Sequence, residues 1–169
     1  MEVLKHLQRN LALVFKEIFK EIRIIDESCE IPKKSYDTER KQYLAPLFLH
    51  AIRNFADENK YDKILGITSL DLFVSQLNFV FGMAELGSQA KAAVISLHHL
   101  YPEFFGQLPN RTLFLKRVVK EGLHEIGHTF GLEHCHNQCI MIFSNSILDT
   151  DNKPAMFCED CRNKLLSRS

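Results

Sequence analysis

The stretch LHEIGHTFGLEHCHNQC, from Leu123 to Cys139, constrains this chain more than any other because it gathers five metal-ligating side chains. His124 and His128 stand four residues apart, so a helix directs both imidazoles at one ion. Glu125 is offset from that pair yet close enough to reach a water on the ion. Gly131 falls where the helix must break, since glycine accepts the left-handed backbone that ends a helix and reverses the chain. The break returns His134 as a third ligand. Three neutral nitrogens and one water make an open, catalytic kind of zinc site. Zinc there would lower the pKa of water to about 7 and polarise a scissile carbonyl. Glu125, as general base, would take the water's proton and return it to the leaving amine. By chance HExxHxxGxxH should occur in on the order of one window in ten million, so it outweighs any lone helical histidine.

Cys135 and Cys139 form one close pair and Cys158 and Cys161 a second. Two such pairs match a tetrahedral four-cysteine zinc knot, which has no open position and is therefore structural; two disulfides or free thiols are the alternative. His134 and Cys135 are adjacent, so the knot would fix the loop that delivers the third histidine. Cys29 stands apart and reads as a buried or idle thiol. His136 lies between two ligands and reads as exposed.

At 169 residues with 46% hydrophobic content, the chain suits a single domain with one sizeable core. Its 21 basic and 21 acidic residues cancel, leaving no electrostatic footprint for nucleic acid or an anionic membrane. The expected partner is a peptide or unfolded protein. The N-terminal segment breaks its apolar residues with charges, unlike a signal peptide, and no later run would span a bilayer. A cytoplasmic protein is expected, where clustered cysteines favour metal over disulfides.

Leu4, Leu7, Leu11, Val14, Ile18 and Ile22 recur at helical steps, predicting an amphipathic helix over residues 4–21, then a short buried strand at 22–25. A loop follows to Tyr36, and a second helix is expected over 37–58 with Pro46 near its first turn or at a kink. Strands are expected at 63–68, 77–86 and 91–97, with a turn at Gly87, Ser88 and Gln89. Residues 101–110 read as an exposed connection, and Asn110 as the cap of a helix that stops at Gly131. The last thirty-eight residues show little periodicity and would owe their order to metal.

Beyond the histidine motif, NFVFGMAELG at 78–87, AVISLHHL at 93–100, RVVKE at 117–121 and FSNSILDTDNKPAMFCEDC at 143–161 resemble the archaemetzincins, a branch of the metzincin clan of zinc metallopeptidases. The resemblance implies a metzincin-like zincin fold of the α+β class: a mixed sheet with packed helices above an active-site cleft, and a small irregular zinc-bound lower subdomain. One domain would span 1–169, with the upper subdomain at 1–131, the active-site helix at about 110–130 and the lower subdomain at 132–169. It implies two zinc ions, one on His124, His128 and His134 with Glu125 as base, and one on Cys135, Cys139, Cys158 and Cys161. Met141 would be the Met-turn residue beneath the histidines, with Met156 as its rival. A sheet-edge strand would bind substrate by strand addition. Phe79, Val80, Phe81 and Gly82 are the candidates for it, with Phe79, Phe81 and Met83 sharing one side; a central core strand is the alternative. The family often has arginine where this chain has His99; His98 and His99 read as strand-end or surface residues.

Zinc-dependent peptide hydrolysis is the expected function. A catalytically quiet peptide-binding or regulatory module is the alternative, though a binder has no need of Glu125 as a base. A zinc-knuckle nucleic-acid binder is disfavoured by the zero net charge and scattered aromatics.

Overall fold

A computed structural model of the chain describes residues 1–87 and 89–167, so Ser88 of the expected turn lies outside the described residues. Helix α1 (Glu2–Val14) buries Leu7 and Leu11. It ends well short of residue 21, because Phe15 leaves the helix to become fully buried. There it packs on Phe19 at 5.6 Å, Phe130 at 5.9 Å and Phe157 at 5.7 Å. The chain then folds back so that Gln8 Nε2 donates to the Ile22 carbonyl at 2.6 Å. Ile18, Phe19 and Ile22 still rest on the core. The periodicity therefore marked burial beyond the helix that produced it. Residues 22–25 pair in no ladder and are irregular, not a strand.

The expected helix over 37–58 shortens to α2 (Ala45–Glu58), with Pro46 in its first turn, where its missing N–H costs nothing. The preceding residues make a hairpin, β1 (Tyr36–Asp37) antiparallel to β2 (Gln42–Leu44). Asp37 Oδ1 accepts the Glu39 and Arg40 N–H groups, each at 2.9 Å, which competes with helix formation at this point. Strand β4 (Leu72–Phe73) joins β2 in parallel to complete this small sheet.

The main sheet has the order β3-β6-β5: β3 (Ile64–Thr68) is parallel to β6 (Ala92–Ser96), and β5 (Gly82–Ala84) is antiparallel to β6 at the edge. The strand expected over 77–86 is thus only three residues long. Before it, the Val80 N–H donates to Leu72 O at 2.8 Å and Phe81 O accepts from the Ser96 N–H at 2.8 Å. The alternation slips at Gly82: Phe79 and Phe81 pack on one side of the sheet, and Met83 joins Val80 on the other.

Helix α2 covers one face of this sheet, packing Phe48, Leu49 and Ile52 with Ala92 and Val94. Helix α3 (Arg111–Thr129), with α1 behind it, covers the other. Asn110 caps α3, its Oδ1 accepting the Leu113 N–H at 3.0 Å. The 101–110 connection is more ordered than expected, with a 3-10 turn over Pro102–Phe105 and Tyr101 stacked on Phe114 at 4.2 Å. The C-terminal segment also has regular structure, α4 (Ile147–Asn152) and α5 (Glu159–Leu166). Ser146 and Asp149 form a capping box for α4, a local signal present in the sequence. Ile140, Met141, Ile147, Cys161 and Leu165 share one buried cluster with Leu7, Phe15 and Leu123. The C-terminal segment of this α+β fold is therefore welded to the preceding elements by a common core. Among the described residues, no helix is long and apolar enough to cross a membrane.

Candidate metal centres and cleft

Helix α3 ends in a Schellman motif: the Gly131 N–H donates to His128 O at 2.8 Å and the Leu132 N–H to Gly127 O at 3.3 Å, with Gly131 at φ +74°. That left-handed residue costs a side-chain-bearing amino acid about 1–2 kcal/mol. The reversal brings His134 back to His124 and His128, with ring centroids 5.5 and 5.0 Å away. One ring nitrogen from each histidine lies within 4.8 Å of the others.

The hydrogen bonds decide which nitrogens are left free to face an ion. His124 Nδ1 lies 2.9 Å from the Ile140 carbonyl and His128 Nδ1 2.7 Å from the Leu132 carbonyl. A carbonyl oxygen only accepts, so each Nδ1 carries the proton and each Nε2 presents a lone pair. Those two Nε2 atoms face each other at 3.1 Å. Two lone pairs at that distance repel unless a cation sits between them, and tetrahedral zinc with bonds of about 2.0 Å sets its nitrogens about 3.3 Å apart. Burial pushes the pKa of His124 well down and that of His128 and His134 down as well, keeping all three neutral and ready to ligate.

Glu125 is buried one residue along the helix, and its carboxyl pKa is raised well above the ordinary value, first by burial and then by the charge of Glu121. It lies directly beneath the sheet edge. A Cβ added at Gly82 would stand 2.5 Å from Glu125 Oε1, so only glycine leaves room for the carboxylate there. A cleft of about 470 Å3 opens above, lined by Phe79 to Ala84 on one wall and by His124, Glu125, His128, His134 and Phe143 on the other. Gly82 is the one candidate edge residue that lies within β5; Phe79, Val80 and Phe81 precede the strand and line the same cleft.

Met141 is 0% exposed and Met156 is 64% exposed. Met141 packs its sulfur against α3 between two of the histidines, where a Cβ at Gly127 would come within 2.5 Å of Sδ. Met156 is turned to solvent.

The four sulfurs of Cys135, Cys139, Cys158 and Cys161 all lie within 4.8 Å of one another. Cys135 Sγ and Cys158 Sγ are 3.8 Å apart, the edge of a zinc–thiolate tetrahedron with bonds of about 2.3 Å and far beyond a disulfide. The Cys158 N–H donates to Cys139 Sγ at 3.3 Å and the Met141 N–H at 3.5 Å, both favouring thiolate there. Cys29 is exposed, an idle thiol rather than a buried one, and His136 is exposed.

Periodicity gave no sign of a polar clamp between α3 and the C-terminal segment. Arg117, fully buried, grips Asp151 with Nε to Oδ1 at 2.8 Å and Nη2 to Oδ2 at 2.7 Å. Lys120 Nζ donates to the carbonyls of Thr150 at 2.9 Å and Asp151 at 2.7 Å. Lys153 lies 3.0 Å from Glu121 Oε1, in ion-pair range but off the hydrogen-bond direction, while Thr150 Oγ1 donates to the same oxygen at 3.1 Å. All three α3 residues come from RVVKE, so that stretch ties the histidine helix to the cleft floor. His99 lies just past the end of β6, as the strand-end reading expected, but it is buried and not at the surface, and stacks on Phe79 at 3.8 Å.

The chain matches the model of Peptidase family M54 over residues 2–167. It is 44% identical to the archaemetzincin of Pyrococcus furiosus over 169 residues, covering 99% of this chain and 87% of that protein. The crystal structure of archaemetzincin from Methanopyrus kandleri superposes with a TM-score of 0.83 at 35% identity, over 99% of this chain and 86% of that one. A zinc-dependent peptidase from Methanocorpusculum labreanum superposes at 0.81 with 30% identity, over 97% and 93% of the two chains. The chain therefore belongs to peptidase family M54, the archaemetzincin family of zinc metallopeptidases.

Proposed function

We propose that this protein hydrolyses bonds within peptides or unfolded protein, using Glu125 as general base, with one zinc on His124, His128 and His134 and a structural zinc on the four cysteines. The observation that carries this reading is the position of Glu125, buried between the three-histidine cluster and the sheet edge at Gly82. Zinc on three neutral imidazoles with an open position supplies an acidified water and polarises a carbonyl. Glu125 receives the proton of the attacking water on its carboxylate and passes it to the departing amine nitrogen. Burial raises its pKa above that of an ordinary carboxylate, which makes the carboxylate a stronger base for that proton. The edge of β5 offers backbone N–H and C=O groups to an extended peptide, and the apolar wall of Phe79, Val80 and Phe81 receives its side chains. Four cysteines arranged for metal fit a reducing compartment, which supports a cytoplasmic setting.

The test is cleavage of a diverse peptide mixture, read by mass spectrometry, with zinc-loaded wild type against Glu125→Ala. Cuts by the wild type that fall by about 100-fold to 10,000-fold in the variant, at unchanged zinc content, are expected. Equal cutting by both proteins would remove Glu125 from its role. No cuts by a preparation carrying two zinc ions would favour a peptide-binding module instead.

Gly82→Ala is expected to lower turnover on the order of 100-fold, because the new methyl displaces the Glu125 carboxylate by roughly an ångström. Zinc content should not change, since no ligand touches Gly82. Turnover within a factor of two of wild type would show that the carboxylate is not positioned by this contact.

A further inference from the structure

We propose that Asp71, His98 and His99 form a third metal site, taking a borderline divalent transition ion of the zinc type at the C-terminal end of the main sheet. The topology brings the three together. Parallel strands β3 and β6 are adjacent and in register at Thr68 and Ser96, so residues just past those ends meet. Asp71 follows Thr68 by three residues, and His98 and His99 follow Ser96 by two and three. Ligands gather at the carboxyl ends of parallel strands for this reason in α/β sheets.

The backbone there is tied down before any ion arrives. The Leu97 N–H donates to Thr68 O at 2.7 Å, Ser96 Oγ to Leu70 O at 2.7 Å, and the His98 N–H to Ser96 Oγ at 3.2 Å. Asp71 O accepts the Tyr43 N–H at 2.8 Å, which anchors the carboxylate's own residue to β2. The His99 ring is held on two sides, stacked on Phe79 at 3.8 Å and edge-on to Phe104 at 4.1 Å.

The donor atoms fit one ion. A ligand atom from each of the three residues lies within 4.8 Å of the other two. His99 Nε2 is 2.8 Å from Asp71 Oδ1, and His98 Nε2 is 3.8 Å from Asp71 Oδ2. These separations straddle the roughly 3.3 Å edge of a tetrahedron with bonds of about 2.0 Å, so half-ångström shifts of a carboxylate and a half-exposed ring complete it. On metallation His99 keeps one proton, which moves from Nε2 to Nδ1 as Nε2 turns from hydrogen-bond donor to ligand. Two imidazoles and one carboxylate select zinc-like ions over calcium or magnesium, which prefer all-oxygen shells. His98 is 40% exposed at its side chain, giving the ion an entry path and an open coordination position. Such an ion would staple the β3 and β6 ends together behind Phe79, whose ring lines the cleft.

Native mass spectrometry counts the ions. Wild type, His98→Ala and Asp71→Asn would each be titrated with zinc acetate at neutral pH, after circular dichroism has matched their folds. One ion fewer per chain in each variant is expected, whatever the occupancy of the other two centres. With the other two centres already saturated, a melting temperature that rises with further zinc in wild type and stays flat in His98→Ala is expected alongside. Equal ion counts in all three proteins would overturn the site and assign any extra ion to exposed residues such as His50 or His136.

Discussion

Cys158→Ser is expected to lose one zinc ion per chain and, with it, most of the zinc affinity and activity at the histidine cluster. The route is short in space. Cys139 is fully buried and is followed directly by Ile140, whose carbonyl accepts the His124 Nδ1–H at 2.9 Å, and by Met141, which packs on α3 at Gly127. The Cys135 N–H donates to Met141 O at 2.9 Å, and His134 precedes Cys135. Loosening the thiolates therefore loosens the carbonyl that orients His124, the methionine beneath the helix and the backbone of His134 together. Structural zinc contributes on the order of 10 kcal/mol to small zinc-bound folds, so a melting point lower by roughly 10 °C or more is expected. Zinc per chain, melting temperature and turnover should fall together. Unchanged turnover after the loss of that one zinc would separate the two centres.

Acidification should act in the same direction. Burial holds the thiols of Cys139 and Cys161 up. Burial also opposes ionisation of Cys158, but hydrogen bonds from the Cys161 backbone and the Asn137 amide outweigh it and bring that thiol to about 7. Ligation needs all four thiolates, so protons compete for the site and zinc should leave progressively below neutrality. Retention of both ions at pH 5 would contradict this.

Lys153→Met should cost about 3–5 kcal/mol, because it strands the Glu121 carboxylate in the interior. The two side chains are 1% and 3% exposed, so water cannot replace the missing ammonium. Glu121→Gln combined with Lys153→Met should recover most of the loss, as a neutral amide tolerates burial far better than a lone carboxylate. Chemical denaturation of the two variants measures both numbers; a single-variant loss below about 1 kcal/mol would show the pair to be dispensable. The single variant should also shift the acid limb of the pH–rate profile. Lys153 pulls the Glu125 pKa down while Glu121 pushes it up, so removing the ammonium moves that limb to higher pH. The double variant removes both influences and should bring it back.

How much of this was legible in the chain follows the range of each interaction. Asn110 as a cap, Gly131 as a stop and the four-residue step from His124 to His128 are contacts along one helix, and helical geometry dictates them wherever that helix sits. The strands at 64–68 and 92–96 announced themselves by short apolar runs bounded by turns. The hydrophobic period through Ile18 and Ile22 was misleading as to form, since it records which side chains are buried and not whether a helix or a folded-back loop buries them. Met141 was the stronger Met-turn candidate and Met156 the weaker rival, and the burial of Met141 against Gly127 separates them.

The sequence by itself determined the ligand sets as candidates, the helix that carries two histidines and the glycine that ends it, because each depends on residues within one or two turns of chain. The tertiary structure decided the rest: Gly82 over Glu125, the Arg117, Lys120 and Glu121 clamp on the cleft floor, the carbonyl of Ile140 on His124, and the meeting of Asp71 with His98 and His99. Each of those joins residues from separate elements, and nothing in local spacing encodes which elements a shared core will press together.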